Sequence, residues 1–283
     1  MPPGLIHVAQ ASLALATGWR AALVLSDHRQ ISRAAADLSM YRPGLGWTSA
    51  GQLGSRRRWA RAGLVAAAGL MLTLPGLAGG AVPAALASML ACLSVVAWVG
   101  FDRRLHNARY TSICIAMLAL GVLLYQVGVM ALGDSGDSSP AAGIFASVFA
   151  SQLYLVAGIR KLRSRHFMTG RVLLDNVAYC TFQAAAGNHD FVKIVRPQRL
   201  PSLLQSSTFL FGCRLAAILT AFVELAIGLG AAGLLPRTVT LGLAIPTNLA
   251  FLLLSPRRVM PFTAAALGLL ALATAHPLLK ALV

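Results

Sequence analysis

The run FLFGCRLAAILTAFVELAIGLGAAG, residues Phe209–Gly233, carries two charged side chains, Arg214 and Glu224, among apolar and small ones. About 20 mostly apolar residues suffice for a helix to cross the hydrocarbon core of a bilayer. The whole chain shares this character. Of its 283 residues 57% are hydrophobic and only 11% charged, and its mean hydropathy is +0.72. Soluble domains carry about a quarter charged residues. A fold of this composition in water would expose more apolar surface than water tolerates. The sequence therefore predicts an all-α bundle of transmembrane helices forming a single integral membrane domain over residues 1–283.

Working outward from Phe209–Gly233, seven further segments read as crossings: Leu5–Leu25, Ala62–Gly79, Val82–Phe101, Thr111–Leu132, Ala141–Arg160, Val239–Leu254 and Phe262–Leu282. Leu5–Leu25 is the most polar of them, with His7, Gln10 and Arg20, and Val239–Leu254 is short and contains Pro246. The first segment has neither a basic n-region nor a small-residue cleavage site, so it reads as a retained helix. The net charge of +16 comes from 24 Lys and Arg against 8 Asp and Glu. Its distribution argues for topology rather than nucleic acid, because the cations sit in short blocks between apolar runs and form no soluble basic face. The first, third and seventh loops hold seven, three and two cations, and the fifth, with Arg160 at its edge, holds eight; the second, fourth and sixth hold none, none and one. Cytoplasmic loops are the Lys- and Arg-rich ones. This places the odd loops in the cytoplasm of a multi-pass cell-membrane protein, with both termini outside. The long loop Lys161–Thr208 contains an amphipathic segment, Phe167–Ala186, expected to lie in the interface.

Charged groups inside a bilayer are costly and mark function by default. Glu224 is the one carboxylate within a clear crossing. It can act as an acid, relay a proton, or counter a cation. Arg214 lies about 15 Å away along the same helix, too far to pair with it. It either snorkels or holds an anionic headgroup or diphosphate. The second constellation is Tyr154-Leu-Val-Ala-Gly-Ile-Arg-Lys161-Leu162. A spacing of seven puts Tyr154 and Lys161 on nearly one helix face, and Ala157 and Gly158 permit close helix approach. A lysine in an apolar pocket can serve as a base. Arg160, Arg163 and Arg165 follow as candidates for gathering an anionic group. His166, His189 and Asp190 read as solvated loop residues. Asp102-Arg103-Arg104 reads as a local salt bridge at a helix end, and Gln126 and Gln152 as interhelical hydrogen bonders. Cys92, Cys114, Cys180 and Cys213 have no metal-ligand or CxxC spacing and read as buried thiols. No metal-binding motif is present.

The segment from Tyr154 to Leu162, followed by Phe167 and Gly170, resembles the vitamin K-dependent gamma-carboxylase family and its bacterial relatives, the horizontally transferred transmembrane (HTTM) domain proteins. DoxX-like and MauE-like membrane proteins are more distantly similar. The resemblance covers about residues 141–254. It implies that Lys161 is a catalytic base toward a reduced quinone, that Glu224 on a later helix belongs to the site, and that Tyr154 is a hydrogen-bonding neighbour. Where the family often shows a His, this chain has Thr247 and Asn248; Asn248 joins the arginines as a substrate-binding candidate. The expected function is acid/base chemistry in the membrane on a quinone- or isoprenoid-type molecule or a short membrane-presented peptide, as in natural-product or peptide tailoring. Two alternatives are an isoprenoid (terpene) cyclase with Glu224 as proton donor, and a non-catalytic partner for peptide maturation, export or immunity.

Overall fold

Apolar runs this long fold into helices because every backbone N–H and C=O must be satisfied internally once water is excluded. The computed structural model describes residues 3–37, 50–74, 81–105, 109–132, 140–188 and 190–281, and among them there is no strand. The long helices are α1 (Pro3–Asp37), α2 (Ala50–Leu72), α3 (Ala81–Leu105), α4 (Arg109–Leu132) and α5 (Pro140–Arg163). The short α6 (Arg165–Met168), α7 (Arg171–Ala185) and α8 (Leu200–Leu204) form the following loop region. Then come α9 (Ser207–Ala232), α10 (Arg237–Leu254), α11 (Pro256–Ala273) and the single turn α12 (Leu278–Ala281).

Among the described residues four helices are long and apolar enough to cross a membrane: Gly4–Ser26 within α1, Tyr110–Ala131 within α4, Pro140–Arg163 and Ser207–Ala232. By length and composition this is an all-helical membrane protein. The remaining expected crossings differ for physical reasons. The apolar parts of α3 and α10, Ala84–Val99 and Arg237–Leu253, are shorter. Helix α2 begins well before Ala62 and takes in the Arg56–Arg58 run. The expected last crossing, Phe262–Leu282, is broken: α11 starts at Pro256 and ends at Ala273, before a turn that leads into Pro277. Proline lacks the N–H a helix needs and disfavours helical backbone in the residue before it.

The chain divides into two compact units, one of described residues within Met1–Ala142 and Ala264–Leu272, the other within Gly143–Thr263 and Ala273–Val283. In the first, Gln10 on α1 is buried and donates to Leu70 O at 3.0 Å and Thr73 Oγ1 at 2.6 Å. The amide of Gln10, part of the polarity that set Leu5–Leu25 apart, is thus satisfied across to α2 and the residue after it. Gln126 on α4 donates to Ser88 on α3 at 3.4 Å, as expected of an interhelical bonder, whereas Gln152 is exposed on α5.

The second unit is arranged around α9. Ser206 caps its N-terminus by accepting from Phe209 N at 3.3 Å, and Gly233 ends it at φ 104°. Such caps satisfy groups that the helix ends leave open. The amphipathic loop segment forms two helices instead of one, because Gly170, at φ 80°, turns the chain between α6 and α7. A Cβ at Gly170 would lie 2.4 Å from Arg214 N, so only glycine lets this turn rest on the α9 backbone. All four cysteines are free and buried.

Candidate functional site

Helix α5 presents Tyr154, Gly158 and Lys161 along one side, two turns from first to last. Gly158 is where it meets α9: a Cβ there would fall 2.8 Å from Leu225 Cγ and 3.0 Å from Ala221 O. One turn along α9, Gly228 meets Leu155 as closely, 2.7 Å from its Cγ. Missing side chains on both helices thus bring the backbones together beside Glu224.

At that crossing Lys161 Nζ donates to Glu224 Oε1, an ion pair in which the carboxylate is 5% exposed and the lysine 22%. The ammonium also lies over two aromatic rings, 5.4 Å from the centroid of Phe167 and 5.3 Å from that of Phe251. Ring faces are electron-rich and attract a cation most where water is scarce. The second carboxylate oxygen, Glu224 Oε2, is buried without a hydrogen-bond partner among the described residues.

A second polar pair lies farther along α5. Asn248 on α10 is fully buried, and its amide donates to Tyr154 Oη at 2.9 Å and to Ala244 O at 2.9 Å. The backbone carbonyl fixes which end of the amide is nitrogen. Asn248 Oδ1, like Glu224 Oε2, is buried with no partner among the described residues. Two buried acceptors without donors are an unusual expense in a dry interior. A substrate carrying O–H or N–H groups would relieve it.

Phe251 links the ion pair to a cleft of about 300 Å³ whose walls include Tyr179, Cys180, Phe191, Phe251 and Phe262. One wall is held from outside the candidate set. Asp190 is not solvated as its loop position implies; it is buried and receives Arg257 at 2.9 Å and Arg258 at 2.6 Å. Ser255 Oγ donates to its backbone carbonyl at 3.0 Å. This clamp sets the adjacent Phe191 ring edge-on to Tyr179 at 5.3 Å, with Arg258 over it at 5.6 Å. Burial raises the Cys180 thiol above its ordinary pKa.

The structure therefore joins Lys161 to Glu224 and Tyr154 to Asn248. Arg165 and Arg214 come together elsewhere, in an open cleft of about 730 Å³ that they share with Arg171 and His166. Arg160 and Arg163 are exposed on the last turn of α5 and do not line it. His166 faces Asp175 at 3.5 Å, away from Asp190; His189 and the side chains of Asp102, Arg103 and Arg104 lie outside the described residues. Sequence reasoning missed the Asp190 clamp and Phe251. Phe251 stands three residues after Asn248, which puts the two on one face of α10. Asp190 was detectable only as one of 8 acidic residues among 24 cations. Among the described residues no three His, Cys, Asp or Glu side chains group as metal ligands would. No protein-family model, curated protein or solved structure matches the chain at a significant level.

Proposed function

We propose that this chain is a multi-pass membrane enzyme that moves a proton to or from a lipophilic substrate at the Lys161–Glu224 pair. The observation that carries the proposal is the buried pair itself, with Glu224 Oε2 without a partner among the described residues and the ammonium over the Phe251 ring, which also lines an aromatic cleft. An ion pair out of water can exchange a proton between its partners without creating net charge. A substrate O–H, N–H or acidic C–H brought through the cleft meets a base, a carboxylate oxygen seeking a donor, and ring faces that tolerate a cation. Tyr154 and Asn248 orient the substrate by a second hydrogen-bonded contact. The resemblance to the gamma-carboxylase and HTTM group favours a reduced quinone, and an isoprenoid or a short membrane-presented peptide suits the same apolar cleft. In this reading the chain still crosses the bilayer eight times, the shorter α3 and α10 by local thinning and the last crossing as α11 alone. The basic odd loops face the cytoplasm, both termini lie outside, and α7 rests in the interface with Tyr179 and Phe182 exposed.

The competing account makes the pair a fastener between α5 and α9 in a non-catalytic partner. Reversing it, Lys161→Glu with Glu224→Lys, separates the two. The enzyme reading expects normal membrane abundance for the reversed pair but loss of a product that wild-type membranes form. Lipid and peptide extracts of cells expressing each variant at equal abundance, compared by mass spectrometry, report this. If wild type, Lys161→Ala and the reversed pair give identical extracts, the enzymatic reading fails.

A further inference from the structure

Three arginines face the 730 Å³ cleft from two directions: Arg165 and Arg171 from either side of the Gly170 turn, and Arg214 from the second turn of α9. The cleft is built rather than incidental, because the close seat of Gly170 on the α9 backbone at Cys213 and Arg214 brings the three together. Three other cations of this unit meet carboxylates. Lys161 has Glu224, and Arg257 and Arg258 share Asp190. At the cleft, His166 faces the Asp175 carboxylate at 3.5 Å. Among the described residues none of the three guanidinium groups meets a carboxylate. Like charges gathered around one concavity repel each other and favour an anion between them. Guanidinium forks match the oxygens of phosphate.

The rest of the cleft is apolar where it meets α9. Phe211, one of its walls, begins a stripe of exposed side chains: Phe211 at 66%, Leu215 at 57%, Leu219 at 61% and Phe222 at 56%. At 3.6 residues per turn these four fall within a sector of roughly 80°, and the stripe rises about 16 Å along the helix. Glu224 sits on the opposite side of α9 by the same arithmetic, so this surface is separate from the ion pair.

We infer that the cleft holds the phosphate of an anionic phospholipid, with one acyl chain lying along the Phe211–Phe222 stripe. The guanidinium groups supply the headgroup contacts and Ser207 adds a hydroxyl at the same wall. The lipid seals the α6–α7 turn against α9, and its binding does not depend on turnover at Lys161.

The test uses the full chain in nanodiscs of phosphatidylcholine doped with phosphatidylglycerol, followed by native mass spectrometry of lipid retained after mild detergent extraction. Arg165→Gln, Arg171→Gln and Arg214→Gln are combined, against a charge-matched control of Lys193→Gln, Arg196→Gln and Arg199→Gln, which lie outside the cleft. All six side chains are exposed, so both variants keep the core intact. The expected result is one retained phosphatidylglycerol on wild type and control, and a loss of about ten-fold or more on the cleft variant. Phe211→Ala with Leu219→Ala weakens retention of the long-chain lipid but not of its dihexanoyl analogue. Millimolar pyrophosphate leaves retention unchanged. Equal loss in the cleft and control variants would overturn the inference. So would displacement of the lipid by pyrophosphate, which identifies a free phosphate compound as the ligand.

Discussion

Replacing Glu224 by Gln keeps the side chain's shape and removes its charge. Lys161 then faces two aromatic rings and a neutral amide from a position 22% exposed. Stranding one member of a buried pair costs about 3–5 kcal/mol. Two ring faces return about 0.5–1 kcal/mol each at a partly exposed site, and residual hydration lowers the cost further. A net loss of about 2–3 kcal/mol follows. Lys161→Met leaves the Glu224 carboxylate more deeply buried and without its cation, so it costs as much or more. The double variant Lys161→Met, Glu224→Leu removes both charges and replaces them by apolar atoms, which is often neutral for a buried pair. A double-mutant cycle of Lys161→Met, Glu224→Leu and their combination, read by reversible denaturant titration in detergent micelles, should show a coupling of about 4–6 kcal/mol, since each single strands one charge and the double strands none. Additive single effects, with the double variant the least stable of the set, would refute the pairing of these two side chains.

Gly158→Ala should cost about 1–3 kcal/mol by overpacking, because its Cβ would fall 2.8 Å from Leu225 Cγ; the same titration detects it, and Ala157→Gly serves as the control. Asp190→Asn removes the anion that Arg257 and Arg258 share. Trypsin should then cut after the exposed Lys193 and Arg199 several-fold faster, while unchanged cutting would mean that the clamp does not hold this loop. Since burial raises the Cys180 thiol and the thiolate is the reactive form, a variant with Cys92, Cys114 and Cys213 replaced by Ala should alkylate slowly at pH 8. Its rate should still be climbing at a pH where that of the denatured chain has levelled off. A native-state plateau at the same pH as that of the denatured chain would place Cys180 in water.

The membrane character of the chain was legible because apolar length is a local property of sequence. Glu224 stood out for the same reason, as one carboxylate among Ala221, Phe222, Val223 and Leu225. The spacing of Tyr154 and Lys161 gave their common face, and Gly158 the close approach. Their partners were another matter. Asn248 lies 94 residues from Tyr154, and Arg258 lies 68 from Asp190. Pairings over such separations leave no periodic trace, so Asp190 read as solvated from its polar surroundings. The break before Pro277 was visible as a proline, yet the apolar run on both sides masked it. Arg171 read as the polar side of an amphipathic helix, and only the turn at Gly170 directs it toward Arg214.

The pairing of α5 with α9 at Lys161 and Glu224 is open to direct measurement in native membranes. In a background lacking the four native cysteines, Lys161→Cys is combined with Glu224→Cys or with Leu219→Cys, which lies on the outer face of α9. A short bifunctional thiol reagent is added, and linkage is read after protease cleavage in the 193–199 loop. Lys161→Cys with Glu224→Cys should stay joined after cleavage and Lys161→Cys with Leu219→Cys should separate. Linkage through position 219 as efficient as through 224, or through neither, would contradict a site built on these two residues.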